Sequence, residues 1–504
     1  MKKRFFSVLL VLAILAGVIF VSTLKLPVRE VVAEDEEASP SDVQVQYDKE
    51  TIYLWYTDDS LTNYLTSAAV EYNEAHGTRV MPVLKPSVEY FESINKASVE
   101  SNVPDMYITS HDTLGKAYLA GLTTKIDMDE ATFESSYIGQ AKNSVLYKDM
   151  LLGYPLNYET SVLLYNETYL KDMAVTELKI KQNEAGEDGE NSQSDENSSD
   201  SSEASFTDEE IANQLIELIP TTIVDITELG NNFDAPEGVE SFMTWDVTDI
   251  FYNYFFLGNA INVGGEGGFD KSIIDIYNLD AIRSFSAYQE LNQFFSIETE
   301  NSNYSQIISD FIDGKIVLTI ATSDVVGTLN QAKADGTFKY DYGVTMAPEI
   351  NDELDTRSMS VTNCVVINPF STRQDVANDF SKFVTGEYAV NLFSKSGKVS
   401  ASSLVNYDEE APAFNVFAME YGYSSPLPKM METSNLWVIL EGAFADIWNG
   451  EDPNLKLKEV AEKISSQVTG TPVELPYIED KKEEEEVEYF DEEELARQAK
   501  EGEQ

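Results

Sequence analysis

Apolar residues in this chain recur at two alternating spacings from about residue 51 onward. Residues 51–56 form a β-rich apolar run, and the apolar positions between 61 and 72 repeat at helical spacing until Gly77. A second strand, a helix over 90–99 and a third short strand at 106–108 follow. Strands that alternate with helices predict an α/β fold with a parallel sheet.

The stretch over 103–122 has the features of a turn that binds a ligand. Pro104 excludes a helix at this point, and the short apolar strand after it predicts a buried position. The polar residues Ser110 to Asp112 can cap the next helix, and Gly121 is typical of its end. Open α/β sheets bind ligands at such strand ends. An ordinary connection has the same spacing, so spacing alone leaves both interpretations open.

The residues of this stretch closely resemble a segment of a known family. They read PDMYI…HD…LAGL and are similar to the "PDI…HD…GLL" segment of bacterial extracellular solute-binding proteins of the maltose/maltodextrin type. Later segments resemble the family in the same order, namely YPLNYETSVLLYN (154–166), FIDGKIVLTI (311–320), YGVTMAP (342–348) and a helical pair over 379–397. The resemblance covers about residues 51–472 and depends on the order of these short motifs.

The resemblance implies an α/β, two-lobed periplasmic-binding-protein-like fold (type II), with lobes joined by crossing hinge segments. The expected organisation is a signal or membrane anchor at 1–29, an acidic linker at 30–46, lobe 1 at 47–157 and 365–415, lobe 2 at 158–364 and 416–475, and an acidic disordered tail at 476–504. Within lobe 2, residues 182–205 have almost no apolar side chains and predict a solvated, disordered insert.

The formal net charge of −55 excludes two classes of partner. Nucleic acid and anionic lipid both require a basic surface. Solubility alone and attraction of a ligand both remain as explanations of the acidity. The single cysteine, Cys364, lies in an apolar run, so we expect a buried inert thiol and no intramolecular disulfide. No metal or cofactor is expected, because His76 and His111 belong to no metal-binding pattern.

The N-terminus has the pattern of an export signal. Basic residues at 2–4 precede an uncharged apolar run over 5–24, which is about as long as a membrane span. No cysteine follows the run, which excludes a lipid anchor, and the small residues at 31–33 lie far from it. We expect an uncleaved anchor at the outer face of the cytoplasmic membrane, with secretion as the alternative.

Members of the family bind carbohydrate in a cleft between the lobes. Carboxylates and amides hold the sugar hydroxyls, and aromatic rings pack on the C–H faces. The resemblance places these residues of the present chain in the cleft: Trp55, Asp59, Asp112, Glu159, Asp249, Phe251, Tyr252, Asp324 and Trp437. Three of them lie in an aromatic-rich run over 242–261, part of which predicts buried helix.

Several of these residues also have a purely structural interpretation. Trp55 and Trp437 are compatible with core positions, and Asp59 and Asp112 are compatible with helix caps. Glu159 is compatible with an exposed charge in a hinge. The sequence leaves these alternatives open.

Three positions depart from the maltodextrin receptors. Thr109 and Thr113 stand where those proteins have a tryptophan and an arginine, and Asp324 replaces a further stacking tryptophan. The expected cleft is therefore poorer in aromatic rings and richer in carboxylates. This favours a smaller sugar, a differently shaped oligosaccharide or a cationic solute over long linear maltodextrins.

The expected function is an extracellular receptor, acting as a monomer, that captures a carbohydrate and delivers it to the permease subunits of an ABC importer. A membrane-anchored sensor or scaffold with the same fold is the alternative. An enzyme is not expected. Nothing in the sequence sets the separation of Asp112 and Glu159 that a glycosidase pair requires, and adjacent residues such as His111 and Asp112 point in different directions at a helix start.

Overall fold

The computed structural model of the protein describes residues 51–100, 103–187, 206–295, 297–299, 303–407 and 412–480. Its strands are β1 (Thr51–Tyr56), β2 (Arg79–Leu84), β3 (Met106–Ser110), β4 (Leu146–Tyr147), β5 (Met150–Leu151), β6 (Tyr154–Asn166), β7 (Ser241–Met243), β8 (Asn262–Val263), β9 (Ile274–Asp275), β10 (Ile316–Thr322), β11 (Tyr342–Thr345), β12 (Met359–Ile367), β13 (Val399–Ser400) and β14 (Ser425–Pro426).

Helices connect these strands and cover the sheet. They are α1 (Thr62–His76), α2 (Tyr90–Glu100), α3 (Leu114–Leu119), α4 (Glu130–Ser136), α5 (Ala141–Val145), α6 (Glu167–Glu187), α7 (Asp208–Leu218), α8 (Ile223–Asn232), α9 (Ile250–Asn253), α10 (Phe255–Gly258), α11 (Leu279–Phe295), α12 (Tyr304–Ile312), α13 (Asp324–Ala334), α14 (Gln374–Thr385), α15 (Leu392–Ser396), α16 (Ala413–Tyr423), α17 (Leu436–Trp448) and α18 (Pro453–Thr469). Short 3₁₀ turns at Asp59–Leu61 and His111–Thr113 follow β1 and β3.

The first part of the sheet is parallel, as the alternation of strands and helices predicts. All six residues of β1 are buried, and β1 pairs in parallel with β2 on one side and β3 on the other. The helix α1 ends at Gly77, whose φ of +69° is the left-handed conformation that glycine adopts without strain. The carboxyl ends of β1 and β3 therefore lie at the same edge of the sheet.

The strand β6 connects two parts of one continuous sheet. Its residues up to Thr160 pair with β12, whereas its residues from Ser161 pair with β10. The strand order is β2-β1-β3-β12-β6-β10-β7, with β11 and β13 also paired to β6. The side chains of β6 are buried except at Glu159, which is half-buried. The lobe boundary predicted after residue 157 thus falls within this strand.

A hydrophobic core separate from the buried residues of β1 and β3 surrounds the aromatic run over 242–261, and we call it the second core. Trp245, Phe255 and Phe256 are fully buried, and the ring of Trp245 packs edge-on against Trp448 with 5.5 Å between centroids. This core also includes residues of α11, α17 and α18. The prediction that part of the aromatic run is buried helix is therefore confirmed.

The acidic segments lie mostly outside the described residues. Helix α6 continues to Glu187, so the first residues of the segment 182–205 are helical, and residues 188–205 are not described. At the C-terminus, Asp480 pairs with Arg283 at 3.2 Å, and residues 481–504 are not described. The proposed anchor and linker over 1–46 also lie outside the described residues. Within the described residues, no helix combines the length and apolarity needed to span a membrane.

The end of α16 buries a carboxyl group, and this gives a testable pH dependence. Glu420 is 3% exposed and accepts a hydrogen bond of 3.0 Å from the backbone N–H of Ala347. Burial raises the pKa of Glu420 despite hydrogen bonds from Ser358 and Ala347. A carboxyl with a raised pKa in the folded state is stabilising when protonated, and this stability is lost as the pH rises through the folded-state pKa.

We therefore expect Glu420→Gln to raise the free energy of unfolding at neutral pH. The neutral amide can still accept from Ala347 and avoids the cost of a buried charge. The difference from the wild type should disappear below about pH 4, where the glutamate is protonated in both states. Urea unfolding across pH would measure this, with Glu71→Gln on the exposed surface of α1 as the control for loss of one charge. A Glu420→Gln variant that is less stable at neutral pH would contradict the expectation.

Candidate functional site

The connection after β3 contains the polar residues that the sequence singles out, although neither Ser110 nor Thr113 forms a side-chain cap hydrogen bond there. Ser110 ends the strand, the 3₁₀ turn follows, and the half-buried Asp112 lies within this turn. Burial raises the pKa of Asp112, and a hydrogen bond from the Ser110 side chain and the charge of Lys429 oppose this effect. The hydroxyls of Thr109 and Thr113 lie 2.9 Å apart, so the two positions that depart from the maltodextrin receptors contact each other.

Asp112 and Trp437 line one pocket of about 510 Å³, which we call the Trp437 pocket. One wall comes from the end of β3 and the start of α3, and the other comes from the segment after β14 and the first residues of α17. Its lining residues are Ser110, Asp112, Thr113, Lys116, Val361, Leu427, Pro428, Lys429, Met430, Met431, Thr433, Ser434, Leu436 and Trp437. The half-buried Trp437 packs against the second core and also reaches the pocket.

Lys429 anchors the second wall of this pocket. Its side chain is buried, its Nζ donates to the carbonyl oxygen of Asn143 at 2.6 Å, and its backbone N–H donates to the carbonyl of Gly268 at 2.6 Å. Burial lowers the pKa of Lys429 to about 7, although Cys364 and Asp112 act in the opposite direction. The thiol of Cys364 is fully buried, which confirms the prediction for that residue.

Glu159 lines a second pocket of about 340 Å³, which we call the Glu159 pocket. Lys398 lies at its wall, with its Nζ 2.9 Å from Glu159 and 3.2 Å from Asp58. The attraction of these two carboxylates outweighs burial and raises the pKa of Lys398. Ser110 lines both pockets, and we call the two together the groove.

Asp324 and Tyr252 belong to one polar cluster close to Glu159. Asp324 accepts hydrogen bonds from the hydroxyls of Tyr304 and Thr322, and the ring of Tyr252 stacks on Tyr304 with 4.6 Å between centroids. Partial burial raises the pKa of Asp324, and the charge of Glu159 acts in the same direction. Thr322, which donates to Asp324, pairs with Ser161 of β6, two residues from Glu159, so this cluster lies near Glu159.

Four other predicted residues lie outside the walls of these two pockets. The indole of Trp55 is 4% exposed within β1, and the Nζ of Lys85 lies 4.0 Å from the centroid of its ring. The exposed Asp59 accepts from the Thr62 hydroxyl at 3.0 Å. Asp249 caps α9 by accepting from the backbone N–H of Phe251 at 2.8 Å. The roles of these four residues in binding, like those of the other predicted site residues, remain predictions.

The groove wall has as many lysines as carboxylates, in contrast to the rest of the chain. Its walls contain three carboxylates and three lysines, whereas the whole chain has 89 acidic residues and 34 basic ones. The three acids are Asp58, Glu159 and Asp112, and the three lysines are Lys398, Lys116 and Lys429. The carboxylates expected from the sequence are thus accompanied by an equal number of lysines, and burial lowers the pKa of one of these, Lys429, to about 7.

Sequence reasoning missed the lysines, Asp58 and Tyr304. Asp58 directly precedes the predicted Asp59, and the presence of two adjacent aspartates was the one feature of the sequence that could have indicated it. Lys398 is 239 residues from Glu159 along the chain, and nothing in its local sequence indicates the contact. Among the described residues, no cluster of His, Cys, Asp and Glu has the composition to hold a metal ion.

Comparison with known proteins identifies the family. The sequence profile described as bacterial extracellular solute-binding protein matches residues 67–411. The chain belongs to this family of extracellular solute-binding proteins. Its relatives are binding proteins and not enzymes, which agrees with the expectation from the sequence. A search of curated proteins found no match.

Solved structures show the same two-lobed α/β fold. The solute-binding protein resembles an extracellular solute-binding protein from Staphylococcus aureus in complex with maltose, with a TM-score of 0.64 and 18% identity over 83% of this chain and 98% of that one. It also resembles a cyclo/maltodextrin-binding protein complexed with maltotetraose, with a TM-score of 0.65 and 16% identity over 85% of this chain and 100% of that one. The maltose-binding periplasmic protein MalE from Listeria monocytogenes gives a TM-score of 0.61 and 18% identity over 85% of this chain and 100% of that one. The predicted fold class is confirmed.

Proposed function

We propose that this solute-binding protein captures a neutral carbohydrate in the groove and delivers it to an ABC importer. The observation that carries the proposal is the composition of the groove wall. Carboxylates and hydroxyls suit hydrogen bonding to sugar hydroxyls, and the indole of Trp437 offers an apolar face for a sugar ring. A groove whose wall has as many lysines as carboxylates does not require a charged guest.

The lysines of the groove favour a neutral sugar over the cationic solute that the sequence left open. A cation gains most from carboxylates that have no counter-ion. In the Glu159 pocket, Asp58 and Glu159 already have Lys398 as a partner. In the Trp437 pocket, Asp112 is accompanied by Lys116 and Lys429. A cationic guest would therefore meet lysines as well as carboxylates.

The structural relatives support a sugar ligand without defining it. Two of them were solved with maltose and one with maltotetraose. Pockets of about 510 and 340 Å³ fall within the usual range for small-molecule sites. With Thr109 and Thr113 in place of larger side chains, we propose a short or differently shaped oligosaccharide in preference to a long linear maltodextrin.

The family is extracellular, and we propose that the protein works at the outer face of the cytoplasmic membrane as a monomer. The segment 1–29 would tether it there, and the permease subunits would receive the sugar. We place lobe 1 at 47–157 and 365–415, and lobe 2 at 158–364 and 416–475. The intact mass of the mature protein tests the tether, because loss of residues 1–33 would show that the segment is cleaved.

The ligand class can be tested by thermal unfolding against a panel of neutral mono- and oligosaccharides, with spermidine as the cationic comparison. A ligand present at a hundred times its dissociation constant should stabilise the protein by about 2.7 kcal/mol. We expect at least one neutral sugar to raise the unfolding temperature and spermidine to leave it unchanged. Asp112→Asn should weaken the response to that sugar. A panel without any response would refute the carbohydrate assignment.

A further inference from the structure

Lys398 is placed opposite Glu159 by the backbone and not by side-chain flexibility. Strand β13 pairs antiparallel with β6, and the register joins Val399 to Tyr158. The next position in an antiparallel register puts Lys398 beside Glu159. Before it, Gly397 ends α15 with a φ of +72°, and the backbone N–H of Lys398 donates to the hydroxyl of Ser396 at 3.2 Å.

The second carboxylate is also held in place. Asp58 accepts from both the backbone N–H of Ser60, at 3.0 Å, and its hydroxyl, at 2.7 Å. Hydrogen bonds from Ser60 and the charge of Lys398 lower the pKa of Asp58 against the opposing effect of burial. The ion pairs of the described residues join Asp58 and Glu159 to Lys398 and to no other cation.

The position of Lys398 determines the charge that a guest meets. With the ammonium present, the three groups carry a net charge of −1, and without it two carboxylates would share the Glu159 pocket with Asp324 close by. The Lys398 side chain is 22% exposed, so the pair is screened less than a surface pair. An ammonium has three donors, and two of them are directed to Asp58 and Glu159.

We propose that Lys398 sets the charge specificity of the groove. It is a built-in cation that occupies the position between two carboxylates, excludes cationic guests and leaves its third N–H to donate to an oxygen of a neutral sugar. This inference rests on the proposed function, because it concerns the same groove. Lys398 would thus act on the guest in two ways. It donates one hydrogen bond to the guest, and its positive charge offsets the negative charge of the two carboxylates.

The test compares the full-length wild type with Lys398→Met, which removes the charge and keeps most of the side-chain volume. The probes are the neutral sugar that gives the largest thermal response in the panel, the disaccharide of glucosamine, and spermidine. Titration calorimetry should show that Lys398→Met lowers the affinity for the neutral sugar by about tenfold, which is the effect expected from the loss of one charge-assisted hydrogen bond. Both cationic probes should bind the variant at least about tenfold more tightly than the wild type, with a gain that falls as salt increases.

Lys398→Arg and Lys382→Met are the matched controls. The arginine retains the charge and should keep cationic probes excluded. Lys382 pairs with Asp127 at 3.2 Å outside the groove, so its loss should change no affinity. Equal binding of cationic probes by the wild type and Lys398→Met would overturn the inference. Failure of the proposed function would instead appear in the wild type, as the absence of any response to neutral sugars.

A second variant keeps the inference testable if Lys398→Met does not fold. Asp58→Asn removes one of the two carboxylates and leaves Lys398 paired with Glu159 alone. We then expect a sugar that carries a glucuronic acid unit to bind about tenfold more tightly than it binds the wild type. An unchanged or weaker affinity for the acidic sugar would contradict control of charge specificity by the Lys398 network.

Discussion

Trp55→Ala should lower the free energy of unfolding by about 3–5 kcal/mol, the usual cost of deleting a buried aromatic ring. Trp55 is 4% exposed, and its strand lies between β2 and β3, where the paired residues are Val83 and Tyr107. Truncation would leave a cavity beside β1 that its paired strands β2 and β3 cannot fill. Urea unfolding would measure the loss, and Trp55→Phe, which retains a ring, should recover most of it.

Trp437→Ala should have the opposite profile. Its indole is half-buried and lines the Trp437 pocket, so its removal should cost less stability and lower the affinity for the sugar by about thirtyfold, or about 2 kcal/mol. Titration of the folded variants separates the two effects. If Trp55→Ala retained wild-type stability but lost sugar binding, the indole of Trp55 would be a binding platform and not a core residue.

The order of the elements could be predicted from the sequence because it depends on local patterns. The apolar run of β1, the helical spacing of α1 and the glycine that ends it are all read within about 25 residues, and each appears in the structure. The buried helix in the aromatic run and the buried thiol of Cys364 also follow from local composition. These features depend on burial and on backbone preference, and both can be predicted from the pattern of neighbouring residues.

The site could be predicted only in part because its contacts join distant residues. Asp112, Glu159 and Trp437 lie at the groove, and the first two belong to motifs that the sequence shows. The counter-ions do not follow motifs. Lys398 reaches Glu159 across 239 residues, and Lys429 reaches Asn143 across 286. A sequence that shows carboxylates without their partners suggests a cationic ligand, whereas the folded groove has as many lysines as carboxylates.

Asp324 also has contacts that local sequence does not predict. From the sequence, this residue adds a carboxylate where a stacking ring would otherwise lie. In the structure, Tyr304 and Thr322 donate to that carboxylate, and Tyr304 in turn stacks on Tyr252. The aromatic rings beside Asp324 therefore come from helices α9 and α12, and the spacing of residues 252 and 304 gives no indication that their rings meet.

Gly115→Ala should destabilise the protein although it places a better helix former within a helix. A Cβ atom at Gly115 would lie 1.9 Å from the carbonyl oxygen of Lys429, and a backbone atom cannot move aside as a flexible side chain can. Helix α3 or the segment 427–430 must shift, at a cost of about 1–3 kcal/mol. Because both line the Trp437 pocket, we also expect weaker sugar binding.

Gly442→Ala is the matched control, since it makes the same chemical change within helix α17. A Cβ atom at Gly442 would meet nothing within 4 Å, so the alanine should gain about 0.4–1 kcal/mol by reducing the freedom of the unfolded chain. Urea unfolding of the two variants should therefore show shifts of opposite sign. Equal stabilisation by both alanines would mean that α3 does not contact the 427–430 backbone, and the second wall of the Trp437 pocket would then lie farther from Asp112 than this structure places it.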